Sequence, residues 1–452
     1  MRIKFNKQKF YDTIENPWFI ISVLTALALL LRLWNIGEPT QYIYDETYYV
    51  KYAKNLIAGE HFIDVHPPGG ESVIAFGIYI FGTTWAGVRI LPALMGTALI
   101  PISYLLALRF FKNQTTTLLT AFFVAFDCLI LIQSRAALLT MPLTFFIALG
   151  TLLYIIYNQE KKWRYLIFSS LAMGVALSIQ WLAAPVWGTL IVHFTVTRLA
   201  RLLRGDFSRS REGGNLHSSE AKDVSASRRI ARIKQLKWLL LGLAIMLIVP
   251  VLIYLLCFLP VDHEGKTLWQ YIVYWHKRSF EFHWDLRAPH KYGSRWYLWP
   301  VIYQPVLYYQ AYSTDGIVRN IIAFGNPLLW WSAIITYLIA FFGLITHRRW
   351  SYPLLLPMLL LSVYYFGWIF IDRPQFFYYL LPVLIFYFMI LAYFVEKLLK
   401  RFFVAASVWL ILAALMFIYF YPTLVAYPVP KQYFESQLWL PEWRNVLITY
   451  PR

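Results

Sequence analysis

Two adjacent carboxylates lie among tyrosines near the start of the chain. Asp45 and Glu46 belong to the stretch YIYDETYYVKYAKNL, which begins at Tyr42. A helical register groups one acid and four large side chains on a single face: Asp45, Tyr48, Tyr49, Tyr52 and Leu56. Burial against aromatic rings would raise the pKa of the carboxylate and suit it to accept a proton, and the rings can stack on sugar faces. The alternative is an interfacial helix whose acidic residues simply face water.

A second polar segment follows Gly59, where the chain can turn. It reads FIDVHPPGG from Phe62 and contains Asp64 and His66. The Pro-Pro pair restricts the backbone after the histidine. A histidine fixed beside carboxylates can bind a phosphate or a metal ion, although a single histidine before proline is also a common hydrogen-bonding residue of loops. Asp64 and His66 are therefore candidate substrate-binding residues.

Cationic and aromatic side chains alternate late in the chain. The stretch HKYGSRW runs from His290 through Arg295 to Trp296, and such a surface at a membrane boundary can hold an anionic lipid head group. Arg135 and Arg373 lie between apolar runs, where a charge requires a partner or a function. We predict that these cations line one cavity with the acidic segments. The alternatives are an aromatic belt with scattered charges, and arginines that snorkel to the interface.

Membrane spans must position these residues. The chain has 452 residues, of which 59% are hydrophobic and 14% charged, and its mean hydropathy is +0.53. Apolar runs of roughly 20 residues recur from end to end, more than a soluble protein of this length could bury. The predicted fold is an all-α integral membrane protein with a single domain over 1–452. About eleven spans are predicted: Pro17 to Trp34, Val88 to Leu108, Thr115 to Ile132, Leu138 to Tyr157, Tyr165 to Ile179, Leu182 to Leu199, Trp238 to Leu259, Pro327 to Thr346, Tyr352 to Ile371, Phe376 to Phe394 and Phe403 to Tyr421.

The connections between the spans differ in length and composition. An odd number of spans places the two termini on opposite sides, with the N-terminus in the cytoplasm. Residues 35–87 then form a first non-cytoplasmic loop that carries the chemistry, and 260–326 form a second. Residues 200–237 are predicted to be a flexible, basic cytoplasmic loop and 422–452 a non-cytoplasmic tail. This topology indicates a multi-pass protein of the plasma (inner) membrane with its active site on the non-cytoplasmic face.

The formal net charge of +18 does not indicate a nucleic-acid partner. Lys and Arg lie between apolar runs and concentrate in the segments predicted to be cytoplasmic, so the positive-inside rule explains the basic balance. Cys128 and Cys257 both lie in apolar runs. Neither a disulfide framework nor a cysteine metal site is indicated.

Five blocks of the sequence together resemble the protein O-mannosyltransferase family. The blocks are Asp45-Glu46 after the first span, Asp64-Val65-His66-Pro67-Pro68-Gly69, Ser134-Arg135-Ala136, the segment from His290 to Trp296 with Trp299-Pro300, and the Arg373 to Tyr379 stretch, which is similar to the family's Arg-x-x-x-(Phe/Tyr)-Tyr-Tyr. The resemblance implies a GT-C type membrane glycosyltransferase that uses a polyprenyl-phosphate sugar on the outer face of the membrane. The soluble β-trefoil insert of eukaryotic members has no counterpart, which indicates a short, bacterial-type member.

The resemblance also implies roles for individual residues. Asp45 matches the central catalytic carboxylate, and Asp45 and Glu46 are the predicted catalytic pair. The predicted substrate-binding residues are those of the same cavity that orient sugar and acceptor or balance the charge of the departing phosphate: Asp64, His66, Arg135, His290, Arg295 and Arg373. Glu46, Asp64 and His66 are also candidates to hold a divalent cation, Mg²⁺ or Mn²⁺, if the reaction uses one. The expected reaction transfers a sugar, by the resemblance mannose, with inversion to a hydroxyl of an acceptor protein or glycan.

Two departures from the family pattern bear on the substrate. Gly69-Gly70-Glu71 replaces the usual Leu-Gly-Lys, and Thr140 stands where an Asp is common. One rival function is transfer of another lipid-linked sugar to lipid or glycan, as in aminoarabinose or arabinose transferases. The other is a lipid transporter, for which charges near the bilayer midplane are expected; the ionisable residues singled out here lie in loops instead.

Overall fold

The computed structural model describes residues 16–204 and 218–448, which fold mainly into apolar helices. In chain order these are α1 Pro17–Leu33, α2 Glu46–Ala58, α3 Gly69–Phe81, α4 Gly87–Phe111, α5 Gln114–Ala125, α6 Cys128–Ser134, α7 Thr140–Glu160, α8 Trp163–Ile179, α9 Ala184–Arg204, α10 Ser218–Leu256, α11 Leu268–Asp285, α12 Pro327–Ile345, α13 Leu355–Phe366, α14 Leu384–Arg401, α15 Phe403–Phe420, α16 Lys431–Ser436 and α17 Pro441–Leu447.

The multi-span prediction is confirmed. Eight helices in the described ranges are long and apolar enough to cross a membrane, and a ninth span results if α5 and α6, which are bent by 57° at their junction, count as one. Helices α1 and α8, at the positions of two further predicted spans, are apolar but only 17 residues long. The count of about eleven therefore stays a prediction.

The break between α5 and α6 has a local cause. Asp127 lies at the junction, and its Oδ1 accepts a hydrogen bond from the Ile130 amide 2.9 Å away, which caps α6. Its Oδ2 accepts a hydrogen bond of 2.7 Å from the Trp330 indole of α12. The buried Asp127 carboxylate therefore caps the start of α6, directly after the end of α5, and connects this junction to α12.

The centre of the bundle is α14. Every residue from Leu384 to Ala392 is buried, as expected for a helix that is apolar on all sides. Close packing elsewhere depends on small residues: a Cβ added to Gly96 of α4 would meet Ser134 of α6 at 2.2 Å. The site described below therefore rests on closely packed spans.

The predicted all-α class is wrong in one detail. A three-stranded antiparallel sheet pairs β1 Val306–Tyr312 with β2 Ile317–Ala323, and β2 with the short β3 Val429–Pro430. Strand β1 is rich in Tyr and β2 in Ile and Val, side chains that favour this conformation. Because β3 comes from 422–452, this part of the predicted tail pairs with the second long segment.

The predicted long loops are also folded. Residues 35–87 contain α2 and α3, and 260–326 contain α11 and the β1–β2 hairpin. The basic loop 200–237 is corrected in part, because α10 begins at Ser218 and continues into an apolar span; Ala, Lys, Arg and Leu favour a helix here. Residues 205–217 lie outside the described residues.

Candidate active site

Asp45 lies at the N-terminus of α2 with its carboxylate unused by the helix. An Asp in this position usually caps the first turn, but this side chain makes no capping hydrogen bond. Burial, and secondarily the charge of Asp64, raises the pKa of Asp45 to about 6. The carboxylate is therefore both free to meet a substrate and more basic than an ordinary aspartate.

Tyr44 holds the backbone conformation immediately before Asp45. Its φ of 48° lies in the left-handed region, which costs energy for a bulky residue. The ring stacks on Tyr308 with centroids 4.5 Å apart, and its hydroxyl lies 3.2 Å from the Tyr378 hydroxyl. These contacts hold the strained residue, and with it the direction of the next side chain.

Helix α11 clamps the backbone of the second acidic segment. The Trp275 indole donates to the Asp64 carbonyl at 2.9 Å, and the Ser279 hydroxyl and the His283 Nε2 both donate to the Val65 carbonyl. The three donors are four residues apart, so they share one helix face. The two long segments, 35–87 and 260–326, are thus joined at the site.

His283 and Arg373 form the cationic side of the cluster. His283 Nδ1 accepts a hydrogen bond from the Arg373 guanidinium, and Arg373 Nη2 donates to the Tyr379 hydroxyl at 3.2 Å. Burial, with the nearby His66 and Arg373, lowers the pKa of His283 to about 3, so the imidazole is neutral. Arg373 Nε is buried without a hydrogen-bond partner among the described residues. This guanidinium keeps one donor for an anion.

His66 completes the cluster. Its ring lies 6.4 Å from that of Tyr49 and 5.5 Å from that of His283, measured between centroids. Burial lowers the pKa of His66, which favours a neutral ring. The charge of Asp64 acts on both Asp45 and His66, and that of Arg373 acts on His66. The structure thus brings together four of the predicted residues: Asp45, Asp64, His66 and Arg373.

His290 and Arg295 lie at the rim. Arg295 pairs with Asp372 at 3.3 Å, with the side chains 60% and 76% exposed, and the His290 ring packs edge-on against Phe376. They line a polar cleft of about 300 Å³ that also reaches Arg373. The remaining lining residues are Arg287, Pro289, Gly293, Ser294, Asp372, Pro374 and Gln375.

A second groove is apolar and has a volume of about 290 Å³. Its lining begins at Trp296, the residue after Arg295 of the polar cleft. Rings and aliphatic side chains from residues 296–301, from α12 and α13, and from residues 380–387 line it: Trp296, Tyr297, Pro300, Val301, Ile334, Tyr337, Leu338, Leu361, Tyr365, Phe366, Leu380 and Tyr387. The arrangement suits a molecule with an anionic head and an apolar tail.

Glu46 lies behind the site, in a buried ion pair. Its carboxylate accepts two hydrogen bonds from Arg89, at 2.8 and 2.9 Å, and one each from the amides of Ile43 and Ala137. The two side chains are 0% and 1% exposed. Since both oxygens are already satisfied by four donors, this location favours a positioning role for Glu46 over a chemical one.

Arg135 is also held by the protein itself. Its guanidinium donates to the carbonyls at the end of α1: those of Leu31, Arg32, Trp34 and Asn35. A cation at a helix C-terminus satisfies carbonyls that have no partner within the helix. Both of its Nη atoms therefore bond the end of α1, and no hydrogen bond or ion pair in the described part of the chain joins Arg135 to the cluster.

The substitution Glu46→Gln tests whether Glu46 has a structural role or a catalytic one. The change leaves Arg89 buried without a counter-charge, a loss of about 3–5 kcal/mol, so we expect a clear fall in the melting temperature of the purified protein. The matched control is Glu160→Gln, which removes a partly exposed partner of Arg109 and Lys162 and should leave the melting temperature nearly unchanged. Full stability with abolished transfer would instead return Glu46 to the chemistry.

A metal centre finds no support in the side-chain geometry. Among residues 16–204 and 218–448 there is no group of three His, Cys, Asp or Glu side chains arranged to hold an ion, and Glu46 is already engaged. A divalent cation stays an untested expectation.

Sequence reasoning missed His283 and α11. The spacing of Trp275, Ser279 and His283 already places them on one helix face, and Thr267 with Gln270 forms a capping box. These signals predict a helix where only a loop was expected.

Two family models match the chain. The model described as dolichyl-phosphate-mannose-protein mannosyltransferase matches residues 22–86 and 81–263, and that of the C-terminal four TMM region of protein-O-mannosyltransferase matches residues 268–443. A polyprenol-phosphate-mannose protein mannosyltransferase of Mycobacterium tuberculosis is 24% identical over 499 residues, covering 94% of this chain and 92% of the relative. The resemblance seen in the motifs thus extends over nearly the whole length.

Solved structures share the fold. The protein O-mannosyltransferase Pmt1–Pmt2 complex of S. cerevisiae bound to the sugar donor matches with a TM-score of 0.77 at 13% identity, covering 94% of this chain and 92% of that chain. ArnT from Cupriavidus metallidurans bound to undecaprenyl phosphate matches with a TM-score of 0.56 at 16% identity, covering 90% and 74%. At these identities the likeness concerns the fold, and it agrees with the predicted GT-C architecture.

Proposed function

The chain belongs to the dolichyl-phosphate-mannose-protein mannosyltransferase family, and we propose that it moves mannose from a polyprenyl-phosphate carrier to a Ser or Thr hydroxyl of a protein. Family membership makes it a membrane glycosyltransferase, the enzyme class expected from the sequence motifs. The donor named for the bacterial relative is a polyprenol-phosphate-mannose, and a carrier of that chemistry suits the cleft and groove described above.

One observation carries the proposal. The Asp45 carboxylate makes no capping hydrogen bond and lies in the same cluster as Arg373. Tyr379 connects the two, because its hydroxyl accepts a hydrogen bond from Arg373 and it interacts electrostatically with Asp45. Arg373 also lines the polar cleft, and the lining of the apolar groove begins at Trp296, the residue after Arg295 of that cleft. A proton acceptor on one side and an anion-binding group on the other is what transfer from a lipid phosphate requires.

The reaction follows from these positions. The acceptor hydroxyl attacks C1 of the mannose from the side opposite the phosphate, so a new C1–O bond forms as the bond to the phosphate oxygen breaks, with inversion. Asp45 takes the hydroxyl proton. The free Nε–H of Arg373 meets the charge that develops on the departing phosphate, in a site already arranged for it. No step is routed through a metal ion.

The remaining predicted residues divide by position. Asp64 and the neutral His66 lie in the cluster and orient the sugar and the acceptor. His290 and Arg295, at the exposed rim, receive the phosphate before it reaches Arg373. The polyprenyl tail occupies the apolar groove. Glu46 and Arg135 hold the backbone on which these groups are mounted, because their own polar atoms are engaged within the protein.

We place the enzyme in the plasma membrane with this cluster on the non-cytoplasmic face. Arg373 precedes the span Phe377–Arg401, whereas Lys397, Lys400 and Arg401 end it. Under the positive-inside rule the basic end is cytoplasmic, which puts Arg373 on the other side. A lipid-linked donor and a secreted acceptor would meet there.

The product identifies the function. The purified protein in lipid nanodiscs receives polyprenyl-phosphate mannose with a radiolabel on the sugar and a Ser/Thr-rich peptide from a secreted protein. We expect one or more hexoses on the peptide by mass spectrometry, and none on a matched peptide with every Ser and Thr replaced by Ala. Label in a new lipid product, separated from the unreacted donor by chromatography, with none on the peptide, would support the aminoarabinose-transferase-like alternative, a reaction on lipid, and overturn the proposal.

A further inference from the structure

A third groove lies between α12, α14 and α15. Its volume of about 460 Å³ exceeds those of the polar cleft and of the apolar groove at the candidate site, and its lining shares no residue with either. Its walls include Ile335 and Ile339 of α12, Leu398 of α14 and Trp409 of α15. We call it the lateral groove. It is a cavity that the proposed transfer reaction does not use.

The walls of the lateral groove are apolar and open to the surroundings of the bundle. Ile335 is 61% exposed and Phe402 is 53% exposed, and Ile339 and Leu398 are exposed as well. In water such a surface would call for a protein partner, but these residues belong to spans, where exposed apolar side chains meet acyl chains. The walls therefore suit the chain of a lipid.

Two cations line the lateral groove at the end of α14. Lys397 and Arg401 are four residues apart and therefore share a helix face. Neither forms an ion pair with a carboxylate of residues 16–204 or 218–448, whereas their neighbour Lys400, outside the lining, pairs with Glu396. The groove thus combines apolar walls with two positive charges that the described protein does not neutralise.

Aromatic rings hold Lys397 in place. Its Nζ lies 4.5 Å from the ring centroid of Tyr393 and 5.2 Å from that of Trp350. The Tyr393 hydroxyl donates a hydrogen bond of 2.6 Å to the Trp350 carbonyl, which fixes the two rings relative to each other. Contacts between a cation and rings orient the ammonium group and leave its charge in place. Lys397 is therefore positioned to meet an anion.

We propose that the lateral groove binds an anionic phospholipid of the cytoplasmic leaflet. The phosphate lies between Lys397 and Arg401, and an acyl chain follows the walls formed by α12 and α15. Basic pockets between spans on the cytoplasmic side recognise anionic head groups, and acidic lipids are concentrated in that leaflet. This binding site goes beyond the proposed function, and it does not depend on which sugar or acceptor the enzyme uses.

The sugar donor of the proposed reaction is a different ligand. Its phosphate must reach Arg373, which precedes the span Phe377–Arg401, whereas Lys397 and Arg401 lie at the other end of that span. A span of this length separates its two ends by roughly 35 Å. One head group cannot occupy both places, so the lateral groove serves a lipid of the opposite leaflet.

Native mass spectrometry of the purified full chain measures the lipid preference. The protein is incubated with equal amounts of phosphatidylglycerol and phosphatidylcholine that carry the same acyl chains. We expect phosphatidylglycerol adducts to dominate in the wild type, and the double variant Lys397→Gln/Arg401→Gln to bind this lipid about 10-fold more weakly or worse. Equal binding of the two lipids by the wild type would overturn the proposal without any variant.

The matched control removes the same charge elsewhere. Lys112→Gln/Arg164→Gln takes two exposed cations from helix ends on the predicted cytoplasmic side, outside the lateral groove. Phosphatidylglycerol binding should stay at the wild-type level. A loss as large as that of the groove variant would mean attraction by overall charge and would contradict a specific site.

Ile335→Trp tests whether an acyl chain enters the lateral groove. The exposed side chain can grow into the groove without repacking the core, and both cations stay. We expect phosphatidylglycerol binding to fall, whereas Ile345→Trp, an exposed position of α12 outside the groove, should leave it unchanged. Unaltered binding in Ile335→Trp would overturn the proposal. So would loss of added polyprenyl phosphate, with phosphatidylglycerol retained, in the double variant, because the groove would then hold the carrier lipid.

Discussion

Asp45→Asn is expected to lower the turnover number about 10²- to 10⁴-fold, the usual cost of losing a general base. The amide has nearly the same shape but cannot take the proton of the acceptor hydroxyl. Because the wild-type carboxylate makes no capping hydrogen bond, the helix loses little and the melting temperature should hardly change. Mannose transfer from a polyprenyl-phosphate donor to a Ser/Thr peptide measures the effect.

The pH profile supplies an independent measure of the same group. Burial and the charge of Asp64 raise the pKa of Asp45 to about 6. A base must be ionised to act, so wild-type kcat should fall as the pH drops through about 6 and level off above it. The residual activity of Asp45→Asn should lack this limb. The control is Asp372→Asn at the exposed rim, which should keep both rate and profile; near-normal turnover of the Asp45 variant would remove Asp45 from the chemistry.

The positions of the apolar helices were predictable because bilayer thickness sets the length of an apolar run. Every predicted run has an apolar helix at its position, including the 17-residue helices α1 and α8. The break at Asp127 was missed. A single acid inside an apolar run carries no sign of its partners in sequence, and the indole of Trp330, two hundred residues later, decides its role.

The two long segments were harder because their order comes from tertiary contacts. Their aromatic and charged residues have the composition of an interfacial loop, yet α11 forms and packs on Phe62 and Phe258 through Trp275. The hairpin β1–β2 packs beneath the site, where Tyr308 supports Tyr44. Composition made these segments candidates for function but could not specify their fold.

Within the site, residue type alone could not separate chemistry from support. Glu46 and Arg135 match family motifs as well as Asp45 does, and the difference lies in partners distant in sequence. Arg89 engages Glu46, and the carbonyls at the end of α1 engage Arg135. Asp45 differs from Glu46 and Arg135 in that its carboxylate is not engaged by the protein, and only the hydrogen bonds of the folded structure show this difference.

Arg373→Gln is the second change with a large expected effect, about 10²- to 10³-fold in kcat. The guanidinium is oriented by His283 and Tyr379 and keeps a buried Nε–H without a partner, so it can meet phosphate charge at no cost in reorganisation. Arg373→Lys keeps the charge but loses the planar fork, and we expect an intermediate rate. Single-turnover assays with bound donor separate this loss from weaker binding.

The matched control for Arg373 is Arg295→Gln in the same cleft. Arg295 pairs with Asp372 in an exposed position, where water and salt screen its charge. We therefore expect it to raise the KM for the donor a few-fold at low salt and leave kcat almost intact, an effect that added salt removes. If Arg295→Gln lowered kcat more than Arg373→Gln, the departing phosphate would have to lie at the rim. Tyr379 connects Asp45 with Arg373 and not with Arg295. A phosphate at the rim would therefore contradict a mechanism in which Asp45 and the phosphate lie on opposite sides of one sugar.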